Sequence, residues 1–164
     1  MPSFARMDSR ERLLLQIAVL IHACGKFISM KNSNECGYTL IMSTEIIGLS
    51  HLEREIIANV VRYNIRDFDY DMMQLETEAG QDLAGVSDRT AITILIAKLT
   101  AILRLANSMD KTHKSKLIDC RMAVREGQLV ITTGYKGDLA LESASFEQKA
   151  AFFEEIFGIR PVLK

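Results

Sequence analysis

Between Lys98 and Lys116 the chain carries five bases, Lys98, Arg104, Lys111, Lys114 and Lys116, against a single acid, Asp110. Lys111, His113, Lys114 and Lys116 crowd one short stretch, and Arg104 stands about two helical turns earlier on nearly the same face. Positive charge at a helix C-terminus is favoured by the helix dipole, by about 0.3–1 kcal/mol per group, so the cluster has a structural explanation. It also has a chemical one: spaced lysines and arginines can hold a linear phosphate chain without a shaped pocket, as they hold nucleic-acid backbones. Arg62, on a separate helix, is a further candidate for such a phosphate track.

Two other groupings invite a metal reading. Asp67, Asp69 and Asp71, with Glu78 at the twelfth position, imitate the acidic positions of a calcium loop. Met72 occupies the sixth position, where that loop needs glycine for its sharp turn, and Leu75 the ninth, so a solvated acidic loop is the expected structure. His22 closes an apolar run and reads as a packed or groove histidine. Cys24, Cys36 and Cys120 are odd in number and lack a C-x-x-C spacing, which predicts reduced, packed thiols in a cytoplasmic protein.

The elements that must position these groups follow from periodicity. The chain has 164 residues, 48% hydrophobic and 25% charged, with a net charge of −1. That is ordinary globular composition, large enough for its own core and too neutral for a general polyanion or nucleic-acid binder. The apolar run Leu13–Cys24 is interrupted by Gln16 and His22 and falls short of a bilayer span, so no membrane anchor is expected from it.

Asp8 with Glu11 forms a capping box, and a core helix is predicted through Leu13, Ile17, Leu20, Ile21, Cys24, Phe27 and Ile28. A second helix is predicted over Tyr38–Ile47, ended by Gly48. Ser50 and Glu53 cap a third, bearing Leu52, Ile56, Ile57, Val60 and Val61 on one face. Ser87 is the expected cap of the longest helix, about 88–112, whose apolar set is Ile92, Leu95, Leu99, Ile102, Leu103, Ala106 and Met109. After Lys116 the period shortens to two. Ile118–Val124 and Leu129–Thr133 form a predicted hairpin about Glu126-Gly127, a short strand could follow at Leu139–Leu141, and Ser145 caps a short helix closed by Gly158. Ile159–Leu163 returns as an edge strand. The fold class is therefore mainly α, a helical bundle over 8–115 followed by a small α/β subdomain over 116–164.

Three segments resemble, in order, the C-terminal region of Ppx/GppA proteins, the exopolyphosphatase and guanosine pentaphosphate phosphohydrolase family. Ala18–Ile28 (AVLIHACGKFI) is similar to the family's A-x-L-L-H-D-I-G-x-x-I, Gly48–Asn64 to G-L-S-x-x-E-x-x-L-I-A-x-V-x-R-Y-H, and Lys98–His113 to K-L-A-x-L-L-R-L-A-D-A-L-D-R-S-H. The resemblance covers about residues 10–116. It implies a bundle derived from HD phosphohydrolases, attached in the parent protein to actin-like ATPase-type domains where phosphoanhydrides are cleaved with a divalent cation such as Mg²⁺. Those domains need glycine-rich phosphate turns, and this sequence has no G-x-G. The expectation is a chain without catalytic residues.

The resemblance also locates a degenerate HD site. His22 stands in the motif, but Ala23 replaces its aspartate, Cys36 falls where the family often has histidine, Asn64 replaces the histidine after R-Y, and Asn107 replaces the later aspartate. One imidazole with two neutral carboxamides cannot neutralise a divalent ion, so neither a bound metal nor any cofactor is expected in this chain. The expected partners are polyphosphate or a guanosine polyphosphate, held weakly, the catalytic domains of the parent, and a second copy in a homodimer. Four phenylalanines in one short helix, Phe146, Phe152, Phe153 and Phe157, suggest the apolar rim for that dimer. A self-sufficient HD hydrolase and a pure protein-interaction module are the alternatives.

Overall fold

Two helices begin where an acceptor side chain is followed three residues later by glutamate. In the computed structural model of the chain, Asp8 caps α1 (Ser9–Ile21) and Ser50 caps α3 (His51–Tyr63). Each cap accepts from the backbone N–H of that glutamate, whose carboxylate accepts from the cap's own N–H. Such reciprocal caps satisfy two donors that a helix start leaves open. Arg10 ties the two starts together, its guanidinium pairing with Glu53 at 2.5 and 2.7 Å and donating to Gly48 O at 2.6 Å.

The structure describes residues 7–71, 73, 75, 76 and 89–164. The expected cap at Ser87 therefore lies outside the described residues. The chain divides into two compact units, one ending at Thr100 and one running from Ala101 to Lys164.

The first unit contains α1, a 3₁₀ turn (Cys24–Phe27), α2 (Ser33–Ser43), α3 and the opening half of α4 (Arg89–Met109). Its centre is α3, which packs against α1 and α2. All five apolar residues expected on its inner face are buried. So are Glu55 and Asn59, both fully enclosed, and the Asn59 Oδ1 and Thr100 Oγ1 atoms find no hydrogen-bond partner among the described residues.

The expected continuation of α1 through Ile28 does not occur. A Cβ on Gly25 would lie 1.8 Å from Ser33 O and 2.5 Å from Gly37 N, so the turn's backbone rests directly on the start of α2. A straight helix could not make that approach. As a result Phe27 and Ile28, expected in the core, are exposed, Phe27 at 93%, and Leu20, also expected there, is exposed within α1 itself. The second helix is also displaced from the predicted Tyr38–Ile47. Its last carbonyls are taken by side chains, Ser43 and Thr44 hydroxyls both donating to Leu40 O at 3.1 and 2.7 Å, and Thr44 is extended. Gly48, at φ +88°, serves a turn closed by Leu49 N–H to Ile46 O instead of ending a helix.

The second unit holds the closing half of α4, β1 (Arg121–Arg125), β2 (Gln128–Thr132), α5 (Ala140–Phe157) and β3 (Arg160–Leu163). β1 and β2 form the expected hairpin, Arg125 opposite Gln128, with Glu126 and Gly127 at φ +50° and +76° as a two-residue turn of the I′ kind requires. β3 runs parallel to β2 at the far edge, where Pro161 is tolerated. The possible strand at Leu139–Leu141 is instead the start of α5, because Asp138 Oδ1 accepts from Ala140 N–H at 2.8 Å and opens the helix five residues before Ser145. Gly158 closes it in the left-handed conformation, as predicted.

The core of this unit joins Leu105 and Met109 of α4, Ile131 of β2, Phe146 and Phe153 of α5, and Ile159. Phe152 and Phe157 pack against the same cluster, so these rings do not supply the uncovered rim from which self-association was expected. On α4 the buried arc is wider than the predicted stripe. Ile96, Ala97 and Thr100 join it, Leu95 and Ile102 are half-buried, and Ala106 is exposed. By length and composition alone α4 could also cross a bilayer, but half of its apolar window is buried inside the protein, as in a core helix.

Candidate functional site

The histidine motif stands at the end of α1. His22 follows the last residue of that helix, its Nδ1 lying 2.7 Å from Val19 O. Ala23 enters the 3₁₀ turn, and Gly25 makes the close approach to α2. Cys24 is half-buried, and burial pushes its thiol pKa up, away from the reactive thiolate. Cys36 lies in the first turns of α2, and Asn64 caps the end of α3 nearly buried. Asn107 belongs to the second unit. Among the described residues no three His, Cys, Asp or Glu side chains converge as a metal would need. Asp67, Asp69 and Asp71 are exposed in a segment without helix or strand, whereas Met72 and Glu78 lie outside the described residues.

Arg62 is engaged by both a carboxylate and a ring. Its Nε and Nη2 donate to Glu35 Oε2 at 3.1 and 2.7 Å, and its guanidinium carbon lies 3.6 Å from the centroid of the Tyr38 ring. Arg66 shares the same carboxylate at 3.2 Å. Tyr38 donates in turn to Glu76 Oε1 at 3.4 Å. Burial, reinforced by the Glu76 charge, pushes the Tyr38 phenol up to about 12.

The remaining cations of the expected track occupy the second unit and fall into two groups. Arg104 is buried at 7% exposure, its guanidinium 4.7 Å from the centroid of the Phe152 ring. Lys116 is likewise drawn inward, its Nζ lying 3.2 Å from Glu142 Oε2 and donating to Asp138 O at 2.8 Å. Lys111, His113 and Lys114 are instead exposed on the turn that follows α4.

That turn is tightly specified. His113 and Ser115 both adopt φ +51°, a conformation that side chains with a Cβ rarely hold without support from their surroundings. Asp110 supplies that support: its carbonyl accepts from His113 N–H at 3.0 Å and its Oδ1 from Ser115 N–H at 2.9 Å. From below, Thr112 donates to Glu142 Oε1 at 2.5 Å. The Thr112 hydroxyl first, with the N–H of Glu142 and Lys116 also contributing, holds the Glu142 carboxyl down to about 2 against the opposing effect of its burial.

Asp110, Thr112 and Glu142 were not singled out from sequence. Glu142 did leave a signal, because it precedes Phe146 and Ala150 at four-residue steps on the buried stripe of α5.

The family model for Ppx/GppA phosphatase, domain III, matches residues 3–150. The chain belongs to that family. The match spans both the His22 stretch and the Asp110–Lys116 turn. Comparison with curated proteins returns no match.

Proposed function

We propose that the chain is an accessory domain of an exopolyphosphatase or guanosine pentaphosphatase type hydrolase, and that it helps to hold the phosphate chain while cleavage takes place in actin-like domains of the parent protein. The observation that carries this reading is the Asp110–Lys116 turn. Lys111, His113 and Lys114 project into solvent from a backbone held at two unfavourable φ values by Asp110 and underpinned by Thr112, Lys116 and Glu142. Fixing three such groups on a rigid turn lowers the entropy lost when an anion is bound. Arg62, Arg104 and Lys116 contribute less to this reading than their sequence positions suggested, since each is already occupied by an internal carboxylate or ring.

Binding of long-chain polyphosphate is expected to be weak, to strengthen with chain length, and to fall steeply from low to physiological salt. Pyrophosphate and a guanosine polyphosphate serve as short-chain comparisons. Titration calorimetry showing the same affinity for pyrophosphate and for the long polymer would remove the phosphate track. Phosphate release from small esters with added Mg²⁺ or Mn²⁺, lost in His22→Ala, would favour the self-sufficient hydrolase instead.

A further inference from the structure

β1 is unusual in the second unit because every one of its residues is exposed. It lies at the end of the sheet order β1-β2-β3, so one of its edges has no strand beside it among the described residues. Arg125 and Gln128 close the two-residue hairpin and exchange hydrogen bonds inward, which leaves the N–H and C=O groups of Val124 and Met122 directed at the open edge.

The two faces of the strand differ in chemistry. Met122 stands opposite Ile131 and Val124 opposite Leu129, so both share the face that α5 covers further along the sheet. On β1 that apolar face is uncovered, with Met122 and Val124 more than half exposed. It continues into an open cavity of about 300 Å³ floored by Ala106, Met109, Leu117 and Ile118, with Asp110 and Ser115 also in its lining. On the other face stand Arg121 and Arg125, opposite Thr132 and Gln128. Neither arginine has a hydrogen bond or ion pair with a described residue, and the rows they occupy contain no acid.

We propose that β1 is a docking edge for an extended segment of a partner protein in which apolar and acidic residues alternate. Such a segment would add a fourth strand, pairing its backbone with Met122 and Val124. Its apolar side chains would extend the Met122–Val124 face over the cavity, and its carboxylates would meet Arg121 and Arg125 on the other side. Two methionines line the apolar side, and their flexible thioethers accommodate side chains of different shape.

Charge decides against a second copy of β1 as the occupant. A two-fold axis that pairs two β1 edges stands perpendicular to the sheet and keeps each face on its own side. Four arginines would then share one face, which like-charge repulsion opposes. The same arginines protect the lone chain from that pairing. The chain's own alternating stretch, Asp67–Asp71, is also unsuited, because Phe68 packs on Tyr63 and Tyr70 on Phe68, with ring centroids 4.8 Å apart in each pair.

The test uses the full chain and a short synthetic peptide in which aspartate alternates with isoleucine, compared with a peptide of the same composition whose aspartates are clustered. Binding is read by calorimetry and by hydrogen exchange at the Met122 and Val124 amides. The alternating peptide is expected to bind and to slow exchange at both amides, and the clustered one to do neither. Arg121→Glu with Arg125→Glu, a pair of surface changes, should weaken binding roughly tenfold, and a lysine–isoleucine peptide should recover it on that variant. Equal binding of the two acidic peptides, equal binding by the variant, or unchanged exchange at Met122 and Val124 would each overturn the proposal. Protection of those amides that rises with protein concentration in the absence of peptide would overturn it in favour of self-pairing.

Discussion

The stretch from His22 to Phe27 and the turn from Asp110 to Lys116 both fall within the family match, yet their polar groups are used differently. In the first, the backbone makes the specific contact. Gly25 lets the 3₁₀ turn lie on α2, and His22 Nδ1 lies against a carbonyl of its own helix. In the second, Lys111 and Lys114 are exposed on a backbone held by Asp110, and the buried Glu142 carboxylate pairs with the Thr112 and Lys116 side chains. Matching letters alone do not tell a stretch whose backbone packs from one whose side chains stand ready for a ligand. The distinction lies in whether the polar groups are spent internally.

The largest expected effect tests the packing half of that comparison. Gly25→Ala places a methyl group against the Ser33 carbonyl and the Gly37 nitrogen, backbone atoms that cannot rotate away. A loss of about 3 kcal/mol or more is expected in urea denaturation, at the upper end of overpacking costs. His22→Ala, which removes only a half-exposed ring bonded to Val19 O, should cost less than about 1 kcal/mol. If the histidine proves the costlier of the two, the motif is held by its side chain and the comparison is broken.

A smaller effect tests what underpins the turn. The Glu142 carboxyl titrates near 2 in the folded protein, against an ordinary 4.5. Its contribution to stability is full above pH 4.5, where the carboxylate is charged in both states. Between 4.5 and 2 the unfolded chain takes up the proton first, so the contribution drains away as pH falls through that window. Thr112→Val deletes the hydrogen bond that contributes most to the shift. The variant should be less stable than wild type at neutral pH, and the gap should close as pH approaches 2. A gap that is constant from pH 7 to 2 would show that Thr112 acts through packing and not through the carboxylate.

Much of the fold was legible because capping boxes, a two-residue turn and a C-terminal glycine each impose one geometry. Asp8, Ser50, Glu126-Gly127 and Gly158 all act as their residue types require. Errors arose where contacts distant in sequence overrode local pattern. Phe27 and Ile28 continue the apolar period of α1, but the approach of Gly25 to α2 ends the helix first and leaves them in solvent. Leu139–Leu141 reads as a strand until the Asp138 carboxylate takes the Ala140 N–H, where α5 begins. At the candidate site, sequence shows how many cations are present and not which of them are engaged. Arg62 and Arg104 look like Lys111 on paper, and contacts with Glu35, Tyr38 and Phe152 set them apart.

The smallest expected effect on stability bears on the functional half of the comparison. Lys111 and Lys114 are exposed, and neither has a hydrogen bond or ion pair with a described residue. Replacing both with alanine should therefore shift unfolding by no more than about 0.5 kcal/mol, the usual range for surface changes. Asp110, Thr112 and Glu142 would still fix the turn, so the backbone presented to a ligand should stay unchanged. Binding of long-chain polyphosphate at low salt should weaken nonetheless, and its dependence on salt should flatten by roughly one unit of log–log slope per lysine removed, the amount expected when one phosphate contact is lost. The two readouts separate fold from function as the Gly25 and His22 variants do at the other motif. Lysine variants that bind the polymer like wild type would leave this turn with a structural role alone.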